Sequence, residues 1–165
     1  VTQPIEDLAE GAINMLCESL KSLENYELII KLHPADRFSN IYEECCVKNG
    51  IINYEITKDM DIYDALIWCD LIISVHSTVV LEGAILNKPS ICILLPKYND
   101  EGNFVKNGLS LGASSSKELY NLLCNREAFD KINYESFIEE NFYKIDGKVY
   151  ERGIDKILKG ENDNV

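Results

Sequence analysis

Short β-rich runs alternate with longer helical stretches along this chain. That pattern predicts an α/β domain: a parallel sheet with helices on both faces, in three α/β/α layers. Two observations carry the prediction. Leu71–Val75 and Ile91–Leu95 are apolar almost throughout, as strands buried on both faces are. Helix caps and turn residues punctuate the intervals between such runs.

Each element follows from local chemistry. Val1–Gln3 reads as the end of a strand. Pro4 suits a first helical turn, and Glu6 and Asp7 favour the positive end of the helix dipole. Leu8, Ala12, Met15, Leu16, Leu20 and Leu23 then share one helical face. Glu27–Leu32 reads as a strand that His33-Pro34 ends. Tyr42–Lys48 is helical, with Asn49-Gly50 as its stop. Ile51–Ile56 is the next predicted strand, and Asp61 caps a helix over Ile62–Cys69. Leu71–Val75 is a strand, Val79–Leu86 a helix and Ile91–Leu95 a strand, with Asn87-Lys88-Pro89 as the turn between the last two. A polar loop over Pro96–Asn107 leads to a short last strand at Leu109–Leu111. Ser114–Ser116 caps a helix ending near Cys124, and Phe137–Tyr143 and Lys148–Leu158 read as further helices.

Residues 1–160 are expected to form a single Rossmann-like domain, with 161–165 as a polar tail. The chain opens on Val1 rather than Met, so it is expected to be a piece of a longer protein. The net charge is −12, from 16 basic and 28 acidic residues. A nucleic-acid backbone binder needs a basic stripe, so nucleic acid is not an expected partner. The same charge disfavours docking on an anionic membrane, and the longest apolar runs are too short to span one. The six cysteines form no C-x-x-C pair and no zinc spacing. The expectation is a reducing, cytoplasmic setting with no structural disulfide or zinc.

Ligands of such sheets bind beyond the carboxyl ends of the strands. Both histidines of the chain, His33 and His76, fall at that place. Each is read as a site residue, with Lys31 and Ser77 nearby. Ser77-Thr78 at a strand-to-helix junction offers two hydroxyls and free backbone N–H groups to a phosphate. The same residues also make an ordinary helix cap. Glu82 lies four residues after Thr78, on the same helix face. Its neighbours are apolar, so its carboxylate needs partners, and a ribose diol would supply two. Gly83 allows close packing or close ligand approach. Lys97–Asn103 is placed to close over a ligand. Neither a Walker lysine motif nor G-x-G-x-x-G is present.

Leu28-Ile29-Ile30-Lys31-Leu32-His33-Pro34 resembles the K-x-H-P element of GT-B-type enzymes of bacterial surface-polysaccharide synthesis. Asp61–Leu66 with Cys69–Ser74, and His76-Ser77-Thr78 with Leu81–Ala84 and Asn87-Lys88-Pro89, resemble two more of their segments. Ile145–Lys148 followed by Arg152 resembles their ending. The ordered set resembles the carboxyl-terminal, donor-nucleotide-binding half of a GT-B glycosyltransferase. Similar families include sialyl- and polysialyltransferases, capsular Kdo transferases and CDP-glycerol glycerophosphotransferases. The resemblance implies a nucleotide-activated sugar or glycerol phosphate as donor substrate, linked to CMP, CDP or UDP, and no cofactor. It implies an N-terminal acceptor half upstream of Val1. It implies that His33 meets the donor phosphates as catalytic residue, with Ser77 and Thr78 on the same phosphates and Glu82 on the ribose; Lys31 and Pro34, beside His33, and His76, which has no counterpart in these families, are expected around the phosphates by their place after the strands. Eight residues before Glu82 stands Ser74 rather than a second glutamate, which favours an inverting, metal-independent route over a retaining one. Asn87 stands where these families have Gly; Asn tolerates left-handed backbone, so the turn is expected to survive. Two other readings compete. One is a UDP-sugar epimerase or hydrolase of the UDP-N-acetylglucosamine 2-epimerase type. The other is a non-catalytic α/β domain that binds a nucleotide or a partner.

Overall fold

The computed structural model describes residues 1–142 and 144–159. The architecture is Rossmann-like α/β/α, and among the described residues the strands β1–β5 pair in parallel, with one isolated antiparallel bridge between Leu95 and Tyr98. The chain divides into two compact units, Val1–Tyr134 and Glu135–Val165. The first unit holds α1 (Glu6–Leu20), β1 (Leu28–Lys31), α2 (Ser39–Lys48), β2 (Tyr54–Thr57), α3 (Ile62–Trp68) and β3 (Ile72–Ser74). It continues with α4 (Val79–Ile85), β4 (Ser90–Ile93), β5 (Leu111–Ala113), α5 (Ser116–Cys124) and a 3-10 helix at Arg126–Lys131. Beyond these come α6 (Tyr134–Asn141) and, within the second unit, α7 (Val149–Lys159).

The strands form two hydrogen-bonded groups, β1-β2 and β3-β4-β5. The extended N-terminal segment lies between them. Thr2 N–H donates to Lys31 O at 3.0 Å, and the Val1 ammonium donates to Ile73 O at 2.8 Å. The spatial order is therefore β2, β1, Val1–Thr2, β3, β4, β5. Chain order reverses direction at Val1–Thr2, which makes its carboxyl end the switch point of the sheet.

Two-sided burial explains the apolar strands. Ile30, Leu32, Val75, Ile91 and Ile93 join Leu8, Ile13 and Leu16 of α1 and Leu119 of α5 in one core cluster. Ile72 and Cys92 alternate to the opposite face and are equally buried. There α4 packs close, because a Cβ on Gly83 would stand 2.2 Å from Ile72 Cδ1. Close packing is thus what this glycine provides.

Several local signals act as expected. The Asp61 side chain accepts from Tyr63 N–H, and Ser115 accepts from Glu118 N–H. Asn87 takes φ +54° in the turn before β4. Gly50 at φ +71° ends α2, with Ile51 N–H bonded to Cys46 O and Gly50 N–H to Val47 O. That closure takes Ile51 away from the predicted strand, so β2 begins only at Tyr54. The last strand is also displaced, to Leu111–Ala113, because Leu109 and Ser110 N–H both bond to Phe104 O. Helix α6 starts at Tyr134, earlier than Phe137. Tyr143 and the predicted tail, 161–165, lie outside the described residues. Among the described residues no helix is long and apolar enough to cross a membrane.

Candidate functional site

The carboxyl ends of β1, Val1–Thr2 and β3 carry most of the residues singled out from sequence. His33 follows β1 by two residues. Its backbone N–H donates to Thr2 Oγ1 at 3.0 Å, and Thr2 Oγ1 donates in turn to Asp36 Oδ2. Asp36 is buried and also accepts from Tyr42 Oη and Phe38 N–H, each at 2.8 Å. Burial and this bond to Asp36 push the Tyr42 phenol well above its usual pKa. The turn His33-Pro34-Ala35-Asp36 is thereby anchored at both ends. Inside it, Ala35 N–H donates to His33 Nδ1 at 3.0 Å. Nδ1 as acceptor places the ring proton on Nε2, so His33 is a neutral Nε2–H donor in this geometry.

Lys31 takes a different position from the one expected of a phosphate ligand. Its side chain alternates to the face opposite Ile30, is buried, and donates to Leu32 O and Lys58 O at 3.0 Å each. Lys58 Nζ bonds Asp36 O at 2.8 Å. The two lysines brace the turn after β1 from below, by binding carbonyls. Pro34 is exposed on that turn.

On the other side of Val1–Thr2, the loop after β3 is built on Ser74. Ser74 Oγ donates to Val1 O at 3.5 Å and accepts from Ser77 N–H at 3.3 Å. Ser77 Oγ accepts from Val79 N–H at 3.3 Å, from one residue before the N-cap Thr78, whose own side chain makes no capping bond. Ser77 is buried and Thr78 exposed. Among the described residues the Thr78 N–H has no hydrogen-bond partner, and Glu82, half-buried in the first turn of α4, has none on its carboxylate.

His76 faces the loop after β4. Its Nε2 stands 3.8 Å from Glu101 Oε2 and has no hydrogen bond, and its ring centroid is 6.2 Å from that of Tyr98. That loop is fastened to α1. Lys97 Nζ and Tyr98 Oη bond the Asp7 carboxylate at 2.6 and 3.1 Å, which holds Asp7 below the usual carboxylate pKa. Asp100 further bonds Val105 and Lys106 N–H.

One hydrogen-bonded path therefore runs from the His33 turn through Thr2 and Val1 to Ser74 and Ser77. Sequence reading names its two ends and misses the middle: Thr2, Asp36, Tyr42 and Ser74. Only Asp36 leaves a local trace, as the Asp of an Asx turn onto Phe38. Among the described residues no group of three or more His, Cys, Asp or Glu side chains is placed to hold a metal ion. In comparisons with known proteins, no family model, no curated protein and no solved structure matches this chain.

Proposed function

We propose that the first unit binds the nucleotide of an activated donor, a nucleotide-linked sugar or glycerol phosphate. It would do so as the donor half of an inverting, metal-independent transferase of cell-surface polysaccharide synthesis. The observation that carries this reading is the hydrogen-bonded path joining the His33 turn to the Ser77 turn at the switch point of the sheet. Among the described residues, one ring N–H, His33 Nε2–H, and one backbone N–H, Thr78, have no partner on the two turns that this path joins. Donors fixed in this way stabilise the negative charge that grows on a departing phosphate, with no reorganisation during reaction. His33 is the catalytic residue of this proposal. Ser77, Thr78 and His76 surround the phosphates, and Glu82 accepts from the ribose hydroxyls. Lys31 and Pro34 hold the shape of the His33 turn. The acceptor half belongs upstream of Val1, and the setting is cytoplasmic, at the inner face of the membrane if the other half docks there.

Calorimetric titration with CMP, CDP, UMP, UDP and AMP tests the proposal, repeated on His33→Ala and Glu82→Ala. Pyrimidine nucleotide binding that each substitution weakens by about 1.5–3 kcal/mol, the worth of a hydrogen bond to a charged group, is the expected result. Binding unchanged in both variants refutes the assignment of these residues.

A further inference from the structure

The gap between β1 and β3 is filled at one end only. Val1 and Thr2 occupy its carboxyl end, and the rest is a cavity of about 1090 Å³. Its walls include Ile29 of β1, Leu71 and Ile73 beside and within β3, Leu16 of α1 and Leu66 of α3. We propose that this gap is the seat of a sixth strand, an apolar extended segment joined to Val1 by a peptide bond and parallel to both neighbours.

Backbone polarity supports it. Leu28 and Leu32 N–H bond to Asn53 and Thr57 O, so the even-numbered residues of β1 face β2. By alternation Ile29 and Lys31 face the gap. Ile72 N–H bonds Pro89 O on the β4 side, which turns Leu71 and Ile73 toward the gap. Two of these facing carbonyls, Lys31 O and Ile73 O, are taken by Thr2 and Val1. Among the described residues the N–H groups of Ile29, Lys31 and Ile73 and the carbonyl of Ile29 have no backbone partner. Buried strands rarely leave such groups unpaired. Alongside β1, Val1 already stands beside Lys31, so the open part of the gap spans about three residues, about 10 Å at the usual rise of ~3.3 Å per residue, and a segment of three or more residues fits. The facing helices are apolar on both sides, as for a central parallel strand.

The Val1 amine supports it independently. It is half-buried, bonds Ile73 O at 2.8 Å, and burial lowers its pKa to about 6. A peptide N–H makes the same bond without burying a charge. Val1–Thr2 already has the direction and the pairing of such a strand, so the occupant continues a path that exists. The inference does not depend on the nucleotide reading.

Three chains test it: this chain, the chain preceded at Val1 by Lys-Ile-Val-Leu-Ile, and the chain preceded by Gly-Ser-Gly-Ser-Gly. The readouts are thermal midpoint, hydrogen exchange at the Ile29 and Ile73 amides, and mass in solution. The apolar extension is expected to raise the midpoint by several degrees and slow exchange at both amides by about tenfold or more, as for groups brought into a core ladder. The Gly-Ser extension should do neither. If only the apolar extension yields a folded protein, the proposal is likewise supported. Equal behaviour of the two extensions, folded or unfolded, overturns it. Protection of both amides in a dimer of the unextended chain also overturns it, because a second copy then fills the gap.

Discussion

Thr2→Val isolates the part of the site that depends on a single hydroxyl. Valine keeps the shape of threonine and removes both bonds of Oγ1. The His33 N–H loses its acceptor at 3.0 Å, and the buried Asp36 carboxylate loses one of three donors. A bond to a charged group contributes about 1.5–3 kcal/mol, and a donor left unsatisfied costs about 1–3 kcal/mol. Thr2 is half-buried, so water recovers part of the second amount. The expected cost is about 2–3 kcal/mol in urea unfolding. Tyr42→Phe removes a second donor from Asp36 and should couple to it. With both gone, Phe38 N–H is the only side-chain or backbone donor left on that carboxylate among the described residues. The double variant should therefore exceed the sum of the single ones by about 1 kcal/mol, beyond the few tenths seen for independent sites. A Thr2→Val cost below about 0.5 kcal/mol, or additivity of the pair, refutes the claim that this network holds the His33 turn.

Three further outcomes follow from single positions. Gly83→Ala should destabilise by about 1–2 kcal/mol in thermal unfolding, because overpacking against the buried Ile72 outweighs the gain of about 1 kcal/mol in helix propensity. Asn87→Gly should be close to neutral while Asn87→Val costs about 1–2 kcal/mol, since φ is +54° there; equal effects would dismiss the left-handed turn. In a chain that starts at Val1, the amine binds its proton below pH 8 when unfolded and only below about 6 when folded. Stability should be full above pH 8 and fall by about 2–3 kcal/mol as pH drops through 8 to 6, at 1.36 kcal/mol per unit. Nα-acetylation should abolish that slope, measured as the difference between the two forms.

What could be read from sequence was whatever repeats or sits at a fixed offset. Ile91, Cys92 and Ile93 announce a strand with two buried faces, and Asp61, Ser115 and Asn87 mark their turns by chemistry that acts over one to three residues. Where local rules compete, the reading slips. Ile51 has a strand former's side chain, but the helix closure at Gly50 claims its N–H first. Lys31 shows the limit for sites. An ammonium beside a strand end suggests an anion ligand, yet its face of the sheet offers two carbonyls within 3.0 Å, and these capture it. His33 and His76 were legible because histidine is scarce in the chain. Asp36, Thr2, Tyr42 and Ser74 were not, because a polar network assembled across the fold has no period and no fixed spacing.

The same network joins the candidate site to the gap in the sheet. Thr2 is at once the acceptor for the His33 turn and the donor to Lys31 O. Val1 bonds Ile73 O and receives Ser74 Oγ, which in turn accepts from Ser77 N–H. Both turns therefore take their positions from two residues at the end of an otherwise empty strand position. A segment that pairs with Ile29 and Ile73 would fix Val1 and Thr2 along the sheet, and with them the His33 and Ser77 turns that hold the donors of His33 and Thr78. A segment too short or too polar to pair would leave those two residues held only by their own bonds. On that proposal, the order of the site depends on pairing along the strand position that Val1 and Thr2 end.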